Sequence, residues 1–504
     1  MRNTLQKLCS CACIGLMGLL ATVSATAQAL EERVVEYTLD NGMQFLLVRR
    51  PTAPVFTGYI RFLVGGVDEH EGITGLAHLF EHMAFKGTPV IGTRDFDAEQ
   101  AVIAEAERIG LELSHAMMRN NPADSSRIAE LQAQLADVHQ RQKEYIITDE
   151  FSNIYDQEGG VGTNASTSND LTSYYVSLPA NRLELWMLME SERMRWPVLR
   201  EFYLERDVVA EERRLRTENS PFGKLIEQFF ATAYTAHPYQ NPTIGWMSDI
   251  TALTHEEAET FYHEHYSPAN AVGSIVGDID IEKTKALLTQ YFGAIPERGK
   301  PAPVKTREPE QTGERRIVVS YPAEPMQLIG WHKPTLPHYD DFVFDVIQAV
   351  LSNGRTSRLY TSLIKEQQVA VNAGSWQGQP GARYDNMFVL IGVPRHPNTV
   401  EDVEAAFMAE LDRLKTEPVS ERELQKIRNQ IDASAVRGLA SNSGLASQLT
   451  YMQQLAGDWR YILQQREIFK RVTPEDVMRV AQTYFVDNNK TVAVLQDSRQ
   501  QNTP

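Results

Sequence analysis

The sequence has little cysteine, and all of it lies near the start. Cys9, Cys11 and Cys13 are the only cysteines among 504 residues. They fall in a segment with a basic start, an apolar middle and the small-residue ending "ATAQA", which is typical of a secretory signal peptide. We therefore predict that residues 1–29 direct export, with the periplasm as the expected location. Lipid attachment at Cys11 or Cys13 is the alternative, although little apolar sequence precedes either residue. The mature chain would have no thiol for disulfides or catalysis.

Basic residues and long apolar runs are also scarce. The chain has 49 Lys and Arg against 66 Asp and Glu, giving a formal net charge of −17. A nucleic-acid partner is not expected, because such proteins need a basic face. The apolar part of the signal is too short for a stable membrane span. The length instead suits a globular protein of about two to four domains.

Two segments of the chain are similar to each other. Residues 250–278, "ITALTHEEAETFYHEHYSPANAVGSIVGD", align without a gap with residues 469–497, "FKRVTPEDVMRVAQTYFVDNNKTVAVLQD". In each segment a threonine that can cap a helix precedes a helical pattern, a polar turn and a buried strand. This pattern predicts two halves of similar fold. Coincidence is the alternative, because the identities are few.

A stretch rich in proline and charge separates the two halves. Residues 296–316, "PERGKPAPVKTREPEQTGERR", are predicted to form an extended linker. The domains would then cover residues 30–295 and 317–504. Strand-like and amphipathic helical segments alternate in both, so the predicted fold class is α/β (α+β).

One region of the first half has a different pattern. From about residue 95 to 149 the sequence is strongly helical, with Ile128, Leu131, Leu135 and Val138 at helical spacing. The turn-like "NNPADSS" interrupts it, so we predict an inserted helical hairpin. The insert could be a lid, a surface for a partner, or a packed decoration.

The stretch "HLFEH" carries the strongest chemical signal. On a helix, His78 and His82 lie one turn apart and point the same way, which allows both imidazoles to bind one zinc ion. Glu81 lies near the same face, where it could take a proton from a zinc-bound water. The alternative is a pair of core histidines that are satisfied by backbone groups.

A catalytic zinc ion needs a third protein ligand. The helical segment "YLERDVVAEERRLRTE" offers Glu205, Glu211 and Glu212, of which Glu205 and Glu212 are two turns apart on one face. One could ligate the metal while another orients a histidine. Spacing does not choose among the three, and an ordinary solvated helix is the alternative.

The order H-x-x-E-H is the inverzincin motif. The stretch "GLAHLFEHMAFKGT" resembles the pitrilysin/insulinase family of zinc metallopeptidases, most closely its processing-peptidase branch. Four more stretches are similar to that family: "NASTSNDLTSYYVSLP", "LERDVVAEE", "HPYQNPTIGW" and "LSNGRTSRLY". The resemblance covers nearly the whole mature chain. It implies two homologous halves, each a mostly antiparallel sheet flanked by helices.

The resemblance also implies roles for individual residues. His78, His82 and Glu212 would bind one Zn²⁺ per chain, Glu81 would be the general base, and Glu205 would support a ligand from the second shell. The third-ligand assignment rests on the local motif, because the inserted hairpin separates Glu212 from His82 by more sequence than is usual in the family.

The family also binds an extended peptide at a sheet edge. Asn164 and Ala165 match that edge and would pair with the substrate backbone.

The sequence departs from the family at a second site. Active members use an arginine and a tyrosine from a C-terminal module, and the matching positions here are Ile364 and Val371. Neither side chain can donate a hydrogen bond. We therefore predict a hetero-oligomer, a heterodimer in which this chain is the catalytic subunit and a related subunit supplies the Arg/Tyr pair. Another donor in this chain, or a homodimer, is the alternative.

These observations predict a zinc-dependent endopeptidase that acts on peptides or unfolded polypeptide segments. The alternative function is a non-catalytic structural or peptide-binding subunit that retains a zinc site.

Overall fold

The structure is a computed structural model that describes residues 30–119 and 121–499. The predicted signal peptide, residues 1–29, lies outside the described residues. Within the part that is described, no helix is both long enough and apolar enough to cross a lipid bilayer.

The first half contains six strands and ten α-helices in its described residues. The strands are β1 (Val34–Thr38), β2 (Gln44–Arg49), β3 (Val55–Phe62), β4 (Val161–Thr167), β5 (Thr172–Pro179) and β6 (Ala271–Gly277). The helices are α1 (Leu76–Met83), α2 (Phe96–Met118), α3 (Ser125–Gln142), α4 (Glu150–Gln157), α5 (Leu183–Arg195), α6 (Phe202–Arg213), α7 (Pro221–Ala233), α8 (Met247–Ala252), α9 (His255–His265) and α10 (Ile281–Tyr291). A π-helical segment, Arg214–Glu218, continues α6.

The second half contains five strands and six α-helices over the described residues. The strands are β7 (Arg315–Tyr321), β8 (Met326–Lys333), β9 (Ala370–Gln379), β10 (Asn386–Pro394) and β11 (Lys490–Asp497). The helices are α11 (Tyr339–Ser352), α12 (Val400–Thr416), α13 (Glu421–Gly438), α14 (Asn442–Ala456), α15 (Tyr461–Arg471) and α16 (Pro474–Tyr484).

The two sheets share one topology. Their strand orders are β1-β2-β6-β3-β5-β4 and β7-β11-β8-β10-β9. Without β1, each strand of the first sheet has a counterpart at the same place in the second. The pairs β2–β6 and β7–β11 are parallel, and all other pairs are antiparallel. Helices flank both sheets, so the predicted fold class of two similar halves with mostly antiparallel sheets is confirmed.

The internal repeat extends to individual hydrogen bonds. Thr254 and Thr473 each cap a helix and form a capping box with an acidic residue three positions later. Asn270 and Asn489 each donate to two backbone carbonyls, one at the end of the preceding helix and one in or beside the neighbouring strand. The same local bonds therefore set the angle between helix and strand in both halves.

The predicted helical hairpin consists of α2 and α3 and is anchored beside α1. The guanidinium of Arg200 lies 2.9 Å from the Glu99 carboxylate on α2, and both side chains are almost fully buried. Arg200 also donates to the backbone carbonyls of Lys86, Thr88 and Ile91. One buried cation thus joins the hairpin to the loop that follows α1.

The segment between the halves has no regular structure but is held in place. No helix or strand lies between Tyr291 and Arg315, although the last two residues of the proposed 296–316 linker already belong to β7. The Glu308 carboxylate accepts hydrogen bonds from the backbone N–H groups of Thr235 and His237, just beyond α7. The two halves are therefore joined by an extended but bound segment.

A second contact between the halves holds the turn that joins β4 to β5. Asp170 in this turn accepts hydrogen bonds from the backbone N–H groups of Ala382 and Arg383 and from the Tyr239 hydroxyl. The Arg383 guanidinium lies 2.9 Å from the buried Asp68 carboxylate. These bonds fix the end of β4, which is an edge strand of its sheet.

We expect Arg200→Met to destabilise the chain by about 3–5 kcal/mol, because it leaves the Glu99 charge buried without its partner. The measurement is urea-induced unfolding followed by circular dichroism. Arg108→Met is the control, since Arg108 pairs with Glu112 on the exposed surface of the same hairpin; it should cost less than about 1 kcal/mol. Equal effects of the two changes would contradict the anchoring role of Arg200.

Candidate metal centre

The helix α1 presents one apolar and one polar side. Leu76, Leu79, Phe80 and Met83 are buried in the core of the first half. The spacing of these residues leaves His78, Glu81 and His82 on the opposite side, as the helical periodicity predicts. A core contact on one side therefore fixes the direction of the polar groups on the other.

The start of α1 is held by a buried carboxylate. Gly75, with a φ of 90°, precedes the helix in a conformation that favours glycine. The Glu69 side chain accepts hydrogen bonds from the backbone N–H groups of Gly75 at 2.8 Å and Ala77 at 2.7 Å. These bonds satisfy two of the free N–H groups of the helix start.

Helix α6 faces α1 and brings Glu212 opposite both histidines. Glu212 Oε1 lies 3.8 Å from His78 Nε2, and Glu212 Oε2 lies 3.5 Å from His82 Nε2. Glu211, the neighbouring candidate, points elsewhere and pairs with Arg214. The structure therefore brings His78, His82 and Glu212 together and separates Glu211 from them.

These three side chains fit the zinc ion that the motif implies. One ligand atom from each lies within 4.8 Å of the other two. Ligands bound tetrahedrally about 2.0–2.1 Å from zinc are about 3.4 Å apart, so small side-chain rotations would close the site. No other group of three potential ligands this close occurs in residues 30–119 and 121–499.

The protonation of His78 suits metal binding. Burial, together with the nearby His82 and Arg216, lowers the pKa of His78 to about 3. The imidazole is therefore neutral near pH 7, with a lone pair available to a metal. Its other nitrogen, Nδ1, is buried without a hydrogen-bond partner among the described residues.

His82 is oriented by a chain of charged side chains. Its Nδ1 lies 2.9 Å from Glu205 Oε1, and the other oxygen of Glu205 lies 2.7 Å from Lys86 Nζ. Lys86 also contacts Glu201 at 3.3 Å. Burial acts to raise the pKa of Glu205, but the hydrogen bonds and charges of His82 and Lys86 outweigh it and hold that pKa at about 2. Glu205 is thus an ionised acceptor that leaves His82 Nε2 facing Glu212.

Glu81 lies beside the histidines on α1 and is half-buried. Burial raises its pKa, while a hydrogen bond with Thr167 and the charge of His82 act in the opposite direction. The Glu81 side chain lines a cavity of about 320 Å³, here called the Glu81 cavity, together with His82 and Glu205. A carboxylate whose pKa is raised toward neutrality is a better proton acceptor and donor near pH 7.

The same cavity reaches the edge of the first sheet. Asn164 and Ala165 line it from β4, where they pair with Tyr175 and Tyr174 of β5. The strand β4 is last in its sheet, so its other side has no neighbouring strand. An extended peptide that paired with this side would pass Glu81.

The two positions that lack donors lie in the second half. Ile364 is on the π-helical segment Tyr360–Glu366, and Val371 is an exposed residue on β9. Neither residue lines the Glu81 cavity. The structure therefore does not bring them to the site within one chain.

Several residues at the site escaped the sequence analysis. Lys86 lies in "GLAHLFEHMAFKGT" and Thr167 in "NASTSNDLTSYYVSLP". Lys86 is one turn after His82, a spacing that favours contact on a helix. Glu69 precedes the helix and could have been tested as a cap. Arg216, which lies 2.8 Å from Glu212, was hidden in a charged run where any of several arginines could have faced the site.

Comparison with known families agrees with this geometry. Residues 44–123 match the model described as Insulinase (Peptidase family M16), and residues 252–431 match the model described as Peptidase M16 inactive domain. The two matches together span more than half of the chain. The chain belongs to the pitrilysin/insulinase (M16) family.

A similar sequence and a similar solved structure both come from Helicobacter pylori. The zinc protease PqqE is 28% identical over 491 residues, covering 95% of this chain and 96% of PqqE. A solved structure of a protease from the same organism superposes with a TM-score of 0.77 at 28% identity, covering 92% of this chain and 99% of that one. The M16 fold therefore extends over nearly the whole described chain.

A third similarity concerns chain length. The periplasmic protease PqqL from Escherichia coli superposes with a TM-score of 0.68 at 16% identity, over 94% of this chain but only 49% of PqqL. PqqL is thus about twice as long as the part that this M16-family chain matches. At this identity the likeness shows the fold alone.

Proposed function

We propose that this M16-family chain is a zinc-dependent endopeptidase that cleaves peptides or unfolded polypeptide segments. The observation that supports the proposal is the placement of Glu81 beside His78, His82 and Glu212, on a cavity that opens to the edge strand β4. A metal site that served only the fold would need neither a neighbouring carboxylate with a raised pKa nor an accessible sheet edge.

In this proposal His78, His82 and Glu212 hold one zinc ion, and Glu205 orients His82. When bound, zinc polarises the scissile carbonyl and lowers the pKa of water. Glu81 accepts a proton from the attacking water and later donates it to the leaving amine. The backbone near Asn164 and Ala165 pairs with the substrate and presents its carbonyl to the site.

We also propose that the chain is the catalytic subunit of a heterodimer. Ile364 and Val371 cannot donate hydrogen bonds and lie away from the Glu81 cavity. The match to about half of PqqL is compatible with a second M16 half, which here would be a separate, related subunit that supplies the Arg/Tyr pair.

Two further assignments complete the proposal. Residues 1–29 would direct export to the periplasm, the compartment named for PqqL. The mature chain would consist of a peptidase domain at 30–295, a linker at 296–316 and a second domain at 317–504. Residues 95–149 would form an insert in the first domain.

The alternative is a non-catalytic structural or peptide-binding subunit that retains a zinc site. The missing donors at positions 364 and 371 favour it. The environment of Glu81 argues against it, because a peptide-binding site gains nothing from a half-buried carboxylate beside the candidate metal ligands.

We expect Glu81→Gln to retain zinc and to lose peptide cleavage by at least about 100-fold, since the amide cannot accept the proton of water. The assay is cleavage of an unfolded protein or a quenched fluorescent peptide by the zinc-loaded mature chain. Glu71→Gln, an exposed position outside the cavity, serves as the control. Cleavage by Glu81→Gln at the wild-type rate would refute the role of Glu81.

We expect Glu205→Gln to weaken zinc binding by about 10–100-fold and Glu212→Gln to weaken it more, because the first loses a supporting acceptor and the second a ligand. Zinc affinity is measured by competition with a chelator. Glu211→Gln is the matched control, as its exposed side chain pairs with Arg214. Unchanged zinc affinity in Glu212→Gln would remove Glu212 from the ligand set.

We expect the purified, zinc-loaded mature chain to cleave peptides slowly by itself and at least about tenfold faster with its related subunit, because the donors to the developing oxyanion are then complete. The measurement is kcat with and without the co-purified partner. Full activity of the lone chain would contradict the heterodimer. If the chain bound zinc but cleaved no peptide, either alone or with its partner, the alternative of a non-catalytic subunit would be favoured.

A further inference from the structure

One guanidinium of this chain already lies at the candidate metal centre. Arg216 Nη1 is 2.8 Å from Glu212 Oε1, and the Arg216 side chain is 72% exposed. Glu212 is its only side-chain partner among the described residues. If the Glu212 carboxylate ligates a metal ion, most of the five N–H donors of the Arg216 guanidinium are free to bind another acceptor.

Arg216 also lines a cavity at the end of β4. Beyond Thr167, at the end of this strand, Ser168 and Asn169 line a second cavity of about 410 Å³ together with Arg216 and, from the second half, Gln379 and Pro380. Asn164 and Ala165 line the Glu81 cavity from the same strand. A peptide extended along β4 would therefore reach from the Glu81 cavity to the cavity that contains Arg216.

The backbone at Arg216 is unusual for the position. The helix α6 does not continue in α-helical form but passes after Arg213, one residue beyond Glu212, into the π-helical segment Arg214–Glu218. Such wide turns occur often at functional sites, where they redirect side chains. In this segment Arg214 pairs with Glu211 on the outer surface, whereas Arg216 is directed to Glu212.

We propose that Arg216 donates hydrogen bonds to the oxygen of the scissile carbonyl, within the same chain. When water adds to the carbonyl carbon, the C=O π electrons move to this oxygen, and Glu81 takes the proton of the water. The guanidinium stabilises the charge that accumulates on the oxygen and forms no covalent bond. This inference rests on the proposed peptidase function, and it gives the lone chain one donor where Ile364 and Val371 give none.

The proposal is tested by kcat and KM of Arg216→Ala and Arg216→Lys, with Arg214→Ala as the matched control. We expect Arg216→Ala to lower kcat by about 10–100-fold with little change in KM, somewhat less than for an enclosed oxyanion donor, because Arg216 is exposed. Arg216→Lys should retain an intermediate rate, and Arg214→Ala should stay within about twofold of the wild type.

A structural role is separated from a catalytic one by chemical rescue. Added ethylguanidinium should raise kcat of Arg216→Ala several-fold and leave the wild type unchanged. Zinc affinity, measured by chelator competition, should change little in Arg216→Ala. Peptide affinity, measured by fluorescence anisotropy in a Glu81→Gln background, should also change little, because the contact strengthens only as charge develops.

Three results would overturn the inference. They are an unchanged kcat in Arg216→Ala, a loss of kcat that follows a loss of zinc and is not rescued, and a loss confined to peptide binding. A failure of the proposed peptidase function gives a distinct result, because the wild-type chain would then cleave no peptide even with its partner subunit. That result would also overturn the inference about Arg216.

Discussion

The packing of α1 against α6 is the contact on which the candidate site depends. Helix α1 buries Leu76, Leu79 and Met83 in the core, and this forces His78 and His82 toward α6. Polar groups placed this close to a core are costly unless they find partners. Glu205 contacts His82 and Glu212 lies opposite both histidines, so the same constraint that stabilises the fold brings together three side chains that could hold a metal ion.

The rest of the first half holds these two helices in place. The Glu69 carboxylate satisfies the start of α1, and Arg200 joins the loop after α1 to the inserted hairpin. The second half holds the turn after β4 through Asp170 and Arg383. These three sets of contacts hold the edge strand β4 and the polar side of α1 in place beside the carboxylates of α6. This arrangement explains why a site at an open sheet edge can be geometrically defined before a substrate binds.

The two halves show how one topology can serve two purposes. Their strand orders agree, and Asn270 and Asn489 make corresponding bonds. Yet the helix that follows β8 carries no histidine pair, and the described residues contain one cluster that could hold a metal. The fold therefore does not require the metal site. The chemistry depends on a few side chains that only the first half places on its helices, and the second half contributes contacts that position β4.

The sequence by itself determined the features that depend on local spacing. The relation of His78 to His82 follows from one turn of helix, and the internal repeat and the hairpin insert follow from periodic patterns. Tertiary structure decided which of Glu205, Glu211 and Glu212 meets the histidines, that Lys86 bridges two carboxylates, and that Arg216 lies at the site. Strand order and helix packing set these contacts between distant segments. Spacing along one helix defines which residues share a face, but it does not define which residues of other segments contact that face.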